Sequence, residues 1–132
     1  MIDFPDFCIR GVRTSNITPD GELSAMVFYP DERTIQNRLD GGMEKSINWE
    51  DDAIVIGFTL QQFPTGVVRL ARVELDKINS LPKVCNELAY ERSPLLNNKY
   101  HGNIVYHKNL TKPRIRLIAA SLTLVCSDLI KK

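Results

Sequence analysis

His101 and His107 are the only imidazoles in the chain. In a fold whose strands run straight, residues six apart share a face but sit about 20 Å from one another, too far to grip one ion. No cysteine or carboxylate lies near them in sequence to complete a ligand set, so no metal site and no cofactor are expected. His101 is the better chemical candidate. It sits in Tyr100-His101-Gly102-Asn103, where polar groups flank a flexible glycine. A general base of this type needs an acid partner, and the cluster Glu50-Asp51-Asp52 offers three. The competing role for that cluster is to cap the helix that follows it.

A second constellation surrounds the start of the last helical segment. Lys108, Lys112, Arg114 and Arg116 fall within nine residues, with Tyr100, Tyr106, His101 and His107 just before them. Basic groups interleaved with aromatics can track a phosphate backbone and stack on bases. Trp49, the only tryptophan, is a candidate anchor in a binding surface or in the core. Cys8, Cys85 and Cys126 are widely spaced and odd in number. They are read as reduced thiols, with no neighbour in sequence to activate one as a nucleophile. Neither a Gly-x-Ser-x-Gly elbow nor a phosphate-binding glycine loop occurs.

The elements that must position these groups fit in one domain. The chain has 132 residues, of which 43% are hydrophobic and 25% charged, ordinary proportions for a globular protein. Residues 1–132 are therefore read as a single domain. Its net charge of +1 argues against general nucleic-acid binding. The charge is nonetheless segregated. Residues 1–52 carry 5 basic and 11 acidic side chains, and residues 99–132 carry 7 and 1. Either the two ends lie side by side in the fold, or they meet a partner. The longest charge-free run in the apolar C-terminal segment, Leu117–Ser127, is eleven residues, against about 20 for a membrane span. The acidic start Met1-Ile2-Asp3 lacks signal-peptide character. A cytoplasmic protein with no membrane association is expected.

Strands are predicted at 7–12, 45–50, 66–72, 84–92 and 100–106, with Gly102 as a bulge in the last, and the period-two alternation of Leu23, Ala25, Val27 and Tyr29 predicts a strand or extended segment at 22–29. Residues 15–21 form a turn around Pro19 and Gly21. Residues 31–44 are a polar loop with a helical turn near 33–39. The run 53–62 is β-branched at Ile54, Val55 and Ile56, yet the acidic pair before it and Phe63-Pro64-Thr65-Gly66 after it favour a helix. A short helix follows at 74–81. From Thr111 onward, Ile115, Ile118, Ala119, Leu122, Val125, Cys126 and Leu129 recur at helical spacing. Thr111 is placed as its N-cap and Lys131 and Lys132 at the negative end of its dipole. The fold class is α+β: a small, mostly antiparallel sheet of about five short strands with a long C-terminal amphipathic helix packed on one face.

The order Ser46-Ile47-Asn48-Trp49, Gly66-Val67-Val68-Arg69-Leu70 and Asn98-Lys99-Tyr100-His101-Gly102-Asn103-Ile104 is similar to that of short uncharacterised bacterial accessory proteins. The resemblance implies class alone and brings no activity with it. The expected function is that of a non-enzymatic cytoplasmic interaction module, or of an accessory subunit of a bacterial complex. A homodimer or protein partner would contact it through the C-terminal helix or the adjacent edge strand. The alternatives are a small enzyme using His101 with Glu50, Asp51 or Asp52, and a weak nucleic-acid-binding accessory protein contacting its ligand through the basic and aromatic residues above.

Overall fold

A computed structural model describes residues 4–31, 38–79 and 87–131. The predicted helical turn near 33–39 and the ends of the predicted segments 74–81 and 84–92 fall largely or partly outside these residues, as do Cys85 and Lys132. Five strands form one antiparallel sheet: β1 (Phe7–Val12), β2 (Met43–Trp49), β3 (Gly66–Ala71), β4 (Leu88–Arg92) and β5 (His101–Tyr106). Their order across the sheet is β3-β1-β2-β5-β4. Among the described residues three α-helices accompany them: α1 (Val55–Gln62), α2 (Arg72–Asn79) and α3 (Lys112–Val125). The α+β class and the C-terminal helix are as expected.

Alternation along the strands builds a core on each face. Cys8, Ile47, Trp49, Val68, Leu70, Ile104 and Tyr106 point to one side. There they meet Ile115, Ile118, Ala119 and Leu122 of α3, with Leu75 of α2 and the turn residues Val27 and Phe28. Ile9 and Val67 point to the other side and pack on Val55 and Leu60 of α1. Thr111 caps α3 as predicted, its hydroxyl accepting from the Arg114 N–H at 3.3 Å. The outward side of α3 leaves Leu117, Leu124 and Val125 exposed. No helix among the described residues is long and apolar enough to cross a membrane.

The ambiguous run before Phe63 is a helix. Asp52 closes the turn that leads into it, its carboxylate accepting from the Ile54 N–H at 3.0 Å. Three expectations are corrected. Residues 22–29 are not a strand. Ser24 accepts from the Met26 N–H, which closes a 3-10 turn over Ala25–Val27. That turn buries the consecutive residues Val27 and Phe28 beside α3, which strand alternation does not permit. Gly102 is not a bulge, since it pairs in unbroken register with Ile47 and Arg92. It is glycine because the Trp49 indole lies where a Cβ would stand. Finally, α3 stops at Cys126, so Lys131 is not at its dipole. The tail instead turns along the outer edge of β3, where Val67 and Ile130 exchange backbone hydrogen bonds at 2.9 and 2.8 Å. That pairing shields the edge strand.

Candidate functional site: a cationic cleft between two strands

β1 and β2 begin as neighbours and then part. They pair only at Cys8↔Trp49 and Ile9↔Asn48. Beyond Ile9, β1 stays with β3 as far as Val12, while the facing part of β2 stays with β5 as far back as Met43. The segment 25–31 takes over hydrogen bonds in the gap, with Asp31 N–H donating to the Glu44 carbonyl at 3.1 Å. Arg10 fills the rest. Its Nε–H donates to the Val27 carbonyl and its Nη1 to the Ser46 carbonyl, each at 3.3 Å. The Phe63 ring occupies the space a Cβ on Gly11 would need. It also lies under the guanidinium groups of Arg10 and Arg13, at 5.6 and 5.2 Å.

The result is a cleft of about 380 Å³. Arg10, Arg13 and Lys45 line it, with Asn48, Asn98 and His101 on its wall. The wall is built rigidly. The buried Asn48 amide donates to Thr59 Oγ1 at 2.8 Å and accepts from Asn98 Nδ2 at 2.8 Å, and Thr59 passes its own proton to the Val55 carbonyl. His101 Nδ1 faces the Ser93 carbonyl at 2.8 Å. A carbonyl only accepts, so Nδ1 carries the hydrogen. In the neutral ring Nε2 then accepts from the Ser46 hydroxyl at 3.3 Å.

The charge in the cleft is unbalanced in a specific way. Arg38, Arg69, Arg92 and Arg114 each meet a carboxylate. Among the described residues, Arg10 and Lys45 do not. Arginine has five N–H donors; beyond the two bonds above, Arg10 has no further protein acceptor among the described residues. Burial, with Arg13 adding to it, pulls the Arg10 guanidinium down to about 10. Burial also pulls the Lys45 amine down to about 8, with Arg10 and Arg13 contributing and Asp31 opposing. Both groups therefore sit in a place that disfavours their charge, and an anion there relieves them. Asp31 and Glu44 also line the cleft, and Glu44 is engaged by Arg38 at 3.4 Å.

The residues singled out from sequence are placed as follows. His101 reaches the cleft, but its partners are Ser93 and Ser46 rather than a carboxylate. Glu50 instead grips Arg69 at 2.7 and 3.0 Å, Asp51 grips Arg92 at 2.9 Å through both oxygens, and Asp52 accepts from the Tyr100 hydroxyl. The basic-aromatic patch does not assemble. Tyr100 and Tyr106 are buried, the first just before β5 and the second at its far end. Arg114 is neutralised by Glu87 at 2.5 and 2.6 Å, while Lys108, Lys112 and Arg116 are exposed. Trp49 is fully buried between Phe4 and Tyr90, donating to the Glu91 carbonyl, so it is a core residue. Burial pushes the Cys8 thiol up to about 12 and the Cys126 thiol to about 11, which makes both poor nucleophiles. Among the described residues no three metal-ligating side chains gather.

Arg10 and Lys45 are not among the residues the sequence singles out, yet it carries a signal for them. Arg10 stands between Cys8 and Val12, and Lys45 between Met43 and Ile47, at positions whose period-two parity points inward. A charged side chain at such a position is rare unless something compensates it. Comparison with known protein families, with curated proteins and with solved structures finds no match.

Proposed function

We propose that the protein is a non-enzymatic binding module whose β1/β2 cleft holds a small anion or an anionic group on a partner. One observation carries this reading: Arg10 and Lys45 are withdrawn into a cleft where, among the described residues, neither forms an ion pair, and Arg10 keeps donors there without a protein acceptor among those residues. Two cations beside fixed carboxamides suit an oxyanion such as a phosphate, sulfate or carboxylate. His101 is not paired with Glu50, Asp51 or Asp52; its partners are the Ser93 carbonyl and the Ser46 hydroxyl. A cytoplasmic setting belongs to the same proposal and is supported by the buried, unpaired Cys8.

Titration with sodium sulfate against sodium chloride at matched ionic strength tests the reading. Saturable shifts of the Arg10, Lys45, Ser46 and Asn48 amide resonances are expected, and Arg10→Gln abolishes them. Shifts that follow ionic strength alone, or that persist in Arg10→Gln, overturn it.

A second reading, that the module docks on a protein or on another copy of itself, draws support from exposed Leu117, Leu124 and Val125 on α3. Sedimentation at micromolar concentration decides the homodimer: a 15 kDa species at both low and high salt eliminates it.

A further inference from the structure

Lys45 offers the cleft chemistry as well as charge. Its position on β2 lies between buried Met43 and Ile47, and it is half-buried itself. It shares the cleft with the Arg10 and Arg13 guanidinium groups, and it makes no ion pair among the described residues. A lysine held beside other cations in a partly desolvated cleft is the arrangement in which the amine reacts as a nucleophile toward carbonyl carbon. The same guanidinium groups provide the counter-charge for a substrate that brings a carboxylate or phosphate of its own.

Resting on the anion-binding reading, we propose that the cleft takes a small anionic carbonyl compound, an aldehyde or ketone bearing a carboxylate or phosphate, and that Lys45 Nζ condenses with it. The nitrogen lone pair attacks the carbonyl carbon to form a carbinolamine. The carbonyl oxygen then departs as water, taking up the two protons that the neutral amine gives up, and a C=N bond replaces C=O. Nothing is oxidised or reduced, and water reverses the step. The depressed basicity of Lys45, which populates the neutral amine near physiological pH, supports the assignment.

Trapping tests it on the intact protein. Incubation with glyoxylate and cyanoborohydride reduces any imine to a stable carboxymethyl group, which peptide mapping locates. Modification at Lys45 is expected to exceed that at the exposed Lys108 and Lys112 by more than about tenfold. Sulfate should suppress it, and Arg10→Gln should slow it. Lys45→Arg, confirmed as folded by circular dichroism, should lose the fast adduct alone. Even labelling of all lysines overturns the proposal, as does fast labelling of Lys45 that ignores both sulfate and Arg10→Gln. Sulfate binding without a Lys45 adduct defeats the condensation and leaves the anion-binding reading standing. Failure of both defeats both.

Discussion

Arg10 Nη1 lies 3.3 Å from the Ser46 carbonyl, spanning the gap where β1 and β2 have stopped pairing. A side chain here takes the place of a ladder hydrogen bond. The sheet thereby stays one continuous layer while opening a polar cleft within it, and the guanidinium that bridges the opening retains donors for something else.

The first prediction follows from that double role. Arg10→Met roughly keeps the volume of the side chain and removes a largely desolvated charge that makes no ion pair among the described residues. Trading such a charge for an apolar group is often neutral, although two hydrogen bonds to carbonyls are lost with it. Stability measured by urea denaturation should fall by no more than about 1 kcal/mol, while sulfate affinity drops at least tenfold. A large loss of stability with affinity intact would make Arg10 a structural strut and nothing more.

pH provides the second. Lys45, lowered from 10.5 to about 8, is charged below that point and neutral above it. Sulfate stays dianionic across the range, so its affinity should weaken as pH rises through about 8. The groups facing Lys45 are Arg10, Arg13 and Asp31, with Glu44 and His101 also lining the cleft. The unfolded chain holds its Lys45 proton more tightly than the folded one. This residue's contribution to stability therefore rises with pH between about 8 and 10.5 and is lost as pH falls through 8. Lys45→Met should flatten the sulfate pH profile, and an unchanged profile in that variant rules Lys45 out as the titrating group.

Gly102→Ala is the third. The added methyl meets the Trp49 indole and lies 2.6 Å from the Glu91 carbonyl oxygen. Neither neighbour yields easily, because Trp49 is fully buried and the carbonyl belongs to β4. The cost should be at least about 3 kcal/mol, at the upper end for overpacking. A thermal midpoint equal to that of the parent protein would show that Trp49 has another place to go.

The fourth concerns α3. Leu122 is 1% exposed at the centre of the larger core. Leu122→Asp places an unpaired carboxylate there and should abolish cooperative unfolding. Leu122→Ala should cost about 2–5 kcal/mol. Leu124→Asp, on the exposed side, should change the stability by no more than about 0.5 kcal/mol. Equal losses at 122 and 124 would mean that α3 is not seated as described.

Much of the architecture lay in local pattern. The stripe Ile115, Ile118, Ala119 and Leu122 and the cap at Thr111 define α3 by themselves, because helical spacing and an unsatisfied first turn are properties of neighbouring residues. Phe7–Val12 and His101–Tyr106 read as strands from the short apolar runs themselves. Segment 22–29 misled because its alternation was genuine, while the hydroxyl of Ser24 and the α3 surface favoured a turn that buries Val27 and Phe28 together. The candidate site shows the other side of that division. Arg10 and Lys45 are 35 positions apart in the sequence, and their inward parity revealed that each is unusual without revealing that they meet. Glu50 and Asp51 were equally plausible partners for His101 until Arg69 and Arg92 claimed them. Which charges are neutralised depends on strand order and register, and those arise from pairing between distant segments. Only the tertiary structure therefore decided that these two cations share one cleft and that neither forms an ion pair among the described residues.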